Sequence, residues 1–277
     1  MTTELGEFLR SRRGALRPEA VGVVSYGARR VPGLRREELA QLAGVSTAYY
    51  TRLEQADHAE TTSDQVIEAL ARALQLTADE ANHLRRLARP SSARVAGSTH
   101  ERARASIVAL VRSMSGPAIV LDHSNDMHAW NRLGNLLLAH ELPFAAPDDP
   151  ATRPNFARRF FLGGAGPELF ANAEEMADDV VGFLRYSSSL HPEDEQLRAL
   201  VGELTQRSDD FARIWGEHPV GDCGYGTHHF AHPLVGRFDL DYEVMRPAES
   251  SLRVLMYRVD PGSPAADALE LLTHACT

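Results

Sequence analysis

Lysine is absent: all 29 basic residues are arginine, a bias we read as compositional before chemical. Cysteine is scarce too, with Cys223 and Cys276 alone. Two are too few for a disulfide framework or a four-cysteine zinc site and suit a reducing cytoplasm. No run approaches the about 18 consecutive apolar residues of a membrane span. The opening MTTELGEFLRSRRG has no apolar core of the kind a secretory signal needs. Catalytic signatures are missing as well. There is no Gly-x-Ser-x-Gly, and Pro264 directly follows Ser263, unlike a nucleophile elbow. Gly163-Gly164-Ala165-Gly166 lacks the Lys-Ser/Thr of a P-loop. What is present is 277 residues, 43% hydrophobic and 24% charged, which excludes wholesale disorder and suits two ordinary domains in the cytoplasm.

Charge is unevenly spread. Residues 1–95 hold 14 arginines against 12 acidic residues (+2), and residues 96–277 hold 15 against 26 (−11). A mildly basic head on an acidic body fits nucleic-acid binding by the head. The head reads as five short helices. Leu5, Phe8 and Leu9 share one face, and Leu39, Ala40, Leu42 and Ala43 another. Tyr50 and Leu53 point inward from a third helix, Val66, Ile67 and Leu70 from a fourth, and Leu84 and Leu87 from a fifth. Ser46 and Ser63 have N-cap chemistry, and Thr77 with Glu80 forms a capping box. These boundaries predict an all-α domain over 1–90, a small and polar linker or hinge over 91–104, and a second domain over 105–277.

The second half changes character. Residues 118–122 and 127–131 read as short strands around a polar turn, and NRLGNLLL as a helix capped by Asn131. Residues 141–168, with five prolines and four glycines, read as a long surface excursion with FARRFFL as an apolar island. Helices follow in EEMADDVVGFLRYSSSL, DEQLRALVGEL and DDFARIW, the last capped by Ser208. The C-terminal stretch turns to strands, as the strict alternation in Phe238, Leu240, Tyr242, Val244 and in Leu252, Val254, Met256 predicts. Strands, helices, then strands make this half α+β.

The sharpest local signal is REELAQLAGVS leading into TAYYTRLE (residues 36–54). Steeply crossing helices need a small residue at the contact, here Ala40, and the tight turn a residue tolerant of positive φ, here Gly44. Val45 is expected to plug the core from the turn. Such a unit offers the start of its second helix to the DNA major groove. Ser46, Thr47, Ala48, Tyr49 and Arg52 are the candidate DNA-binding residues, since Arg can bridge a guanine edge and Thr or Ala can meet a thymine methyl. The stretch resembles the Xre/Cro-like helix-turn-helix family. That resemblance implies base contacts by Thr47, Ala48 and Arg52 and a phosphate contact by Arg36. It also implies an internal pair of Glu54 with Arg10 or Arg13, of which Arg10 is expected. Ala56 stands where that family often has glycine, and the acidic loop DHAETT (57–62) replaces a basic one. Arg29 and Arg30, in a long first loop, are candidates to compensate through phosphates.

Residues 117–138, RPNFARRFF, FARIWGEHPV, HPLVGRFDLDYE and VDPGSPAADALELL resemble the ligand-binding domain of MmyB-like actinobacterial regulators. This implies a PAS-like sensor of a small apolar or amphipathic molecule, a long-chain fatty acid in at least one relative, and a homodimer on a double-stranded DNA operator. Trp130, Phe160, Phe161, Trp215 and Tyr257 are the large apolar candidates for a pocket wall. Arg158, Arg159 and His232 are candidates to meet a carboxylate head group.

No catalytic residue, metal or cofactor is expected. His228 and His232 would lie about 13 Å apart along a strand, too far to share an ion, and His229 would face the other way. The alternatives from other classes are a ligand-modifying enzyme with a recruiting helix-turn-helix, using Cys223 with His228 or His229, and a protein-interaction adaptor.

Overall fold

The computed structural model describes residues 3–23, 32–55, 62–89, 102–164, 166–248 and 250–275. The chain divides into two compact units, Met1–Arg94 and Val95–Thr277.

In the first unit, α1 (Glu4–Ala15), α2 (Arg36–Leu42), α3 (Thr47–Gln55), α4 (Asp64–Ala73) and α5 (Ala78–Ala88) bury Phe8, Leu9, Leu39, Tyr50, Leu53, Ile67, Leu70 and Leu84. Hydroxyl caps satisfy the orphan amides of the first turns. Thr3 Oγ1 accepts from Gly6 N at 3.2 Å, and Ser46 Oγ from Tyr49 N at 3.1 Å. Thr77 and Glu80 cap each other's backbone at 3.3 and 2.8 Å. Gly44 sits at φ +67°, which lets the chain turn between α2 and α3 without Cβ strain. A Cβ on Gly6 would lie 2.3 Å from the Glu54 carbonyl oxygen, so α1 and the end of α3 meet backbone to backbone. The expectation that Val45 plugs the core is corrected: it is only half-buried, while Leu34, just before α2, is fully buried.

The second unit is α+β and PAS-like. Its elements are α6 (Ala105–Ser113), β1 (Ala118–Leu121), β2 (Met127–Trp130), α7 (Arg132–Ala139), α8 (Phe156–Phe161), α9 (Ala173–Leu190), α10 (Glu195–Arg207), α11 (Asp209–Glu217), β3 (Tyr225–His232), β4 (Gly236–Met245), β5 (Arg253–Tyr257) and α12 (Pro264–Ala275). Among the described residues the five strands form one antiparallel sheet in the order β2-β1-β5-β4-β3.

Both faces of this sheet are covered near β1. The larger core packs Ile119, Leu121 and Tyr257 against helix residues such as Leu137, Val181 and Leu184. A second cluster on the opposite side joins Ile107 and Val111 of α6 to Val120, Ala129, Leu252 and Val254. The alternation of Leu252, Val254 and Met256 marks this second side. Arg253, Leu255 and Tyr257 face the larger core. Asn131 ties the assembly together: its Oδ1 accepts from Gly134 N at 2.8 Å and Ala118 N at 3.1 Å, and its Nδ2 donates to the carbonyls of Met114 (3.1 Å) and Gly116 (2.6 Å).

Two expectations are corrected. Residues 141–168 are not merely a surface excursion, because α8 buries Ala157 and Phe160. The chain also does not stay in strands: α12 follows, burying Ala265, Ala268, Leu269 and Leu272. Its Ala- and Leu-rich sequence carries good helix formers after Pro264.

Candidate functional site

The outward face of α3 gathers Thr47, Ala48, Thr51, Arg52 and Gln55 around a shallow surface hollow. Thr47, Ala48, Arg52 and Gln55 are exposed. Thr51 and Gln55 follow Thr47 and Arg52 at helical spacing, a signal the sequence contained. The Arg52 guanidinium carbon lies 5.4 Å from the centre of the half-buried Tyr49 ring, which pre-orients the arginine. Ser46 spends its hydroxyl on the cap described above. Arg29, Arg30, Ala56, residues 57–61 of the acidic loop and residues 91–101 of the linker lie outside the described residues.

Beneath this face the Glu54 side chain is fully buried. Arg13 grips it with two bonds, Nε to Oε2 and Nη2 to Oε1, both 3.0 Å. Its Nη1 donates to the Leu34 carbonyl at 2.7 Å. Arg36 adds Nε at 3.0 Å and Nη2 at 2.8 Å. Burial works against the carboxylate, yet the hydrogen bonds from Arg13 and Arg36 hold its pKa below the ordinary glutamate value. The expectation that Arg10 is the partner is corrected: Arg10 stays half in solvent with Nε 3.6 Å away. Arg13, one turn further along α1, has the inward position. Arg36, expected on a DNA phosphate, rests on Glu54 with 37% of its side chain exposed.

In the second unit a cavity lies between α9 and the inner face of the sheet. Its wall includes Ile119, Leu121, Met176, Val180, Phe183, Leu255 and Tyr257, with Asn125, Asp179, Cys223, His228 and Arg253 as the polar members. Its free space is about 60 Å³.

Of the eight expected ligand residues, this wall takes Tyr257 and not the other seven. Trp130 is core, its Nε1 donating to the Phe144 carbonyl at 2.9 Å. Phe160 packs edge-on to Phe161, and Phe161 edge-on to Phe211. Trp215 stacks on Phe211, with the Arg185 guanidinium 4.0 Å from its ring centre. Arg158 pairs with Glu203 at 2.8 Å and Arg159 with Glu141 at 2.5 Å. His232 is buried, its Nδ1 accepting from Leu234 N and its Nε2 donating to the Leu136 carbonyl, each at 3.3 Å. Desolvation pushes its pKa down to about 4, so it carries no charge for an anion at neutral pH. The physical reasons are three: the four large aromatics pack against their neighbours, the two arginines have carboxylates nearer at hand, and His232 spends both ring nitrogens on backbone.

The polar wall was not read from the sequence. Arg253 is 8% exposed. Its guanidinium carbon lies 3.4 Å from the centre of the Phe183 ring, and Nη2 donates to Asn125 Oδ1. Nε, fully buried, has no hydrogen-bond acceptor among the described residues. Desolvation pushes the pKa down to about 10, leaving a cation at neutral pH. The signal available was an arginine flanked by apolar neighbours in SLRVLMY. His228 Nδ1 shares a hydrogen bond of 2.8 Å with the Tyr257 hydroxyl, and its ring lies 4.1 Å from that of Tyr242. Burial pushes its pKa down to about 3. His229 faces the other way, on Asp239. Cys223 directs its thiol to the Asp179 carbonyl at 3.7 Å, and burial pushes its pKa up to about 12. That thiol is protonated, contrary to what a nucleophile needs.

Next to Asn125, the turn between β1 and β2 holds a buried polar knot. Asp122 accepts from Ser124 N, Ser124 Oγ, Asp126 N and His128 Nε2 at 2.8–3.0 Å. Despite burial, which favours the neutral acid, these bonds, with His128 foremost, hold its pKa down at about 2. His123 Nε2 meets Asp194 at 2.7 Å, and Asp194 caps α10.

Residues 103–272 match the family described as the MmyB-like transcription regulator ligand binding domain. Residues 4–84 match a helix-turn-helix domain. No curated protein matches the chain.

Proposed function

Because the chain belongs to the MmyB-like transcription regulators, with a helix-turn-helix unit and a ligand-binding domain in one polypeptide, we propose that it is a sequence-specific operator-binding regulator controlled by a small amphipathic molecule. The observation that carries the reading is the exposed set Thr47, Ala48, Arg52 and Gln55 on α3, with the half-buried Thr51 among them, mounted on the buried Glu54–Arg13–Arg36 network. Rigid support under an exposed polar face is what base readout needs. The regulator is a cytoplasmic homodimer on two half-sites about one or more DNA turns apart. Among the described residues no helix is long and apolar enough to cross a membrane.

The cavity of the second unit receives the ligand, with Tyr257 in its wall. A long-chain fatty acid is the ligand that the family resemblance suggests. The protein does not modify this ligand, since the protonated Cys223 and neutral His228 supply neither nucleophile nor acid. The ligand acts by binding the DNA-competent and incompetent states unequally.

Footprinting on genomic fragments tests the proposal. A short protected site is expected, with affinity falling linearly on a log–log plot as salt rises, through counterion release. An adaptor would protect nothing, and that result refutes the regulator.

A further inference from the structure

We infer that His191, stacked on His123 at the corner between α9 and α10, is an acid-sensitive latch: docked while neutral, it frees that corner from the β1–β2 turn when it takes up a proton. The geometry of three imidazoles around two carboxylates carries it. His128 Nε2 lies 3.0 Å from Asp122 Oδ2, and His123 Nε2 lies 2.7 Å from Asp194 Oδ2. Those two pairings use both carboxylates. His191 directly follows α9, and its ring centre is 4.3 Å from that of His123, the planes inclined by 36°. Among the described residues no carboxylate lies within ion-pairing distance of it. A proton on His128 or His123 sits beside its own carboxylate, whereas one on His191 faces an imidazole.

The charged and titratable groups around this stack come from the elements that meet at the corner. The end of β1 and the turn bring Asp122, His123 and Asp126, β2 brings His128, and α10 brings its cap Asp194 and Arg198. Asp126 is held by Asn155 Nδ2 at 2.7 Å, and Arg198 donates to the Pro192 carbonyl at 2.9 Å. Glu193 and Glu195, its neighbours in the chain, are exposed. Burial works against the charge of Asp194, but bonds from Leu197 N and Gln196 N, both 2.9 Å, and from His123 keep its pKa below the ordinary value. It and Asp122 are therefore carboxylates throughout the range in which histidines titrate. The second nitrogen of His123, Nδ1, is buried without a hydrogen-bond partner among the described residues, so a charge added to the stack finds no further acceptor there. Burial first, and His123 second, push the pKa of His191 below its ordinary value, against the pull of Asp194 and Asp122. The undocked ring thus takes up a proton more readily than the docked one. The contact is intact above about 6.5, the ordinary histidine value, and weakens as pH falls. Because α9 supplies Met176, Val180 and Phe183 to the cavity wall, and the turn supplies Asn125, release loosens two borders of that cavity from each other.

Hydrogen exchange of the full chain, read by mass spectrometry at about pH 7.5 and about pH 5 and corrected for intrinsic exchange, tests the latch. Peptides covering the end of α9 and the β1–β2 turn should exchange about three- to thirtyfold faster in acid, the upper end set by an undocked histidine near 6.5. Peptides of α12 should not follow. His191→Phe keeps a ring on His123 that cannot be charged, and should lose the acceleration while keeping its protection at the higher pH. A nitrogen-detected titration should place the His191 midpoint below about 6.5, its signal assigned by its absence in His191→Phe. Circular dichroism reports whether the variant folds; if it does not, the exchange of the parent chain still decides. Equal exchange at the two pH values overturns the inference, as does acceleration that extends to α12 or persists in His191→Phe. So does a His191 midpoint at or above the ordinary histidine value.

Discussion

Replacing Glu54 by Gln keeps the shape of the side chain and removes its charge, and the cost can be worked from the geometry. Five guanidinium nitrogens lie within 3.6 Å of the carboxylate. Removing one member of a buried ion pair typically costs about 3–5 kcal/mol because the other charge is left uncompensated. Here Arg13 is the stranded charge, with 13% of its side chain exposed. Arg36 and Arg10, 37% and 47% exposed, are re-solvated and recover part of the loss. About 3 kcal/mol is therefore expected, borne by the first unit. Hydrogen exchange of α3 amides, followed by mass spectrometry on the full chain, should accelerate by about 100-fold, at about 1.4 kcal/mol per tenfold. Arg13→Ala should approach the same value, and Arg10→Ala should cost under about 1 kcal/mol.

The pH dependence has a definite sign. The pKa of Glu54 is lowered on folding, so its contribution is present above the unfolded glutamate value of about 4.3. It is lost as pH falls through the folded value. After correction for intrinsic exchange, the wild-type α3 should lose protection in that acid range, and Glu54→Gln should lack that component. Exchange of α3 within about threefold of wild type in Glu54→Gln would refute the reasoning. So would Arg10→Ala costing as much as Arg13→Ala.

Arg52→Ala should weaken specific DNA binding by about 1–3 kcal/mol and relax the preference at one base position; an unchanged binding-site logo contradicts its placement. Arg36→Ala should weaken all sequences alike, flatten the salt slope by about one unit and lower the stability of the first unit through Glu54. A salt slope equal to wild type removes Arg36 from the phosphate contacts. His228, held down at about 3, should stay neutral from pH 5 to 8, and a nitrogen-detected titration midpoint near 6.5 would show that its ring is not desolvated in the cavity wall.

The head was largely legible because its signals are local. Ala40, Gly44 and Ser46 act within a few residues of themselves, and a cap or a positive φ is a property of a short stretch. The partner of Glu54 was not, because Arg10 and Arg13 lie one turn apart on α1 and only the packing of α1 on α3 decides which faces in. The cavity was less legible still. Aromatic size suggested Trp130, Phe160, Phe161, Trp215 and Tyr257, but only Tyr257 lies in the cavity wall, because size does not say which rings pack in the core and which border the space. Arg253 was hidden because apolar alternation in β5 highlights Leu252, Val254 and Met256, and alternation cannot say which face is which when both are covered.

The double covering of β5 also has a mechanical consequence. Arg253 looks into the cavity, and Val254, about 3.3 Å further along the strand, packs under α6. The strand is stitched to β1 on one side and β4 on the other, so it can tilt or slide as a slat but cannot flex at a single residue. Neighbouring residues of β5 therefore touch two different layers, Arg253 the cavity and Val254 the cluster with α6. The sheet is thus the layer that separates the cavity from α6.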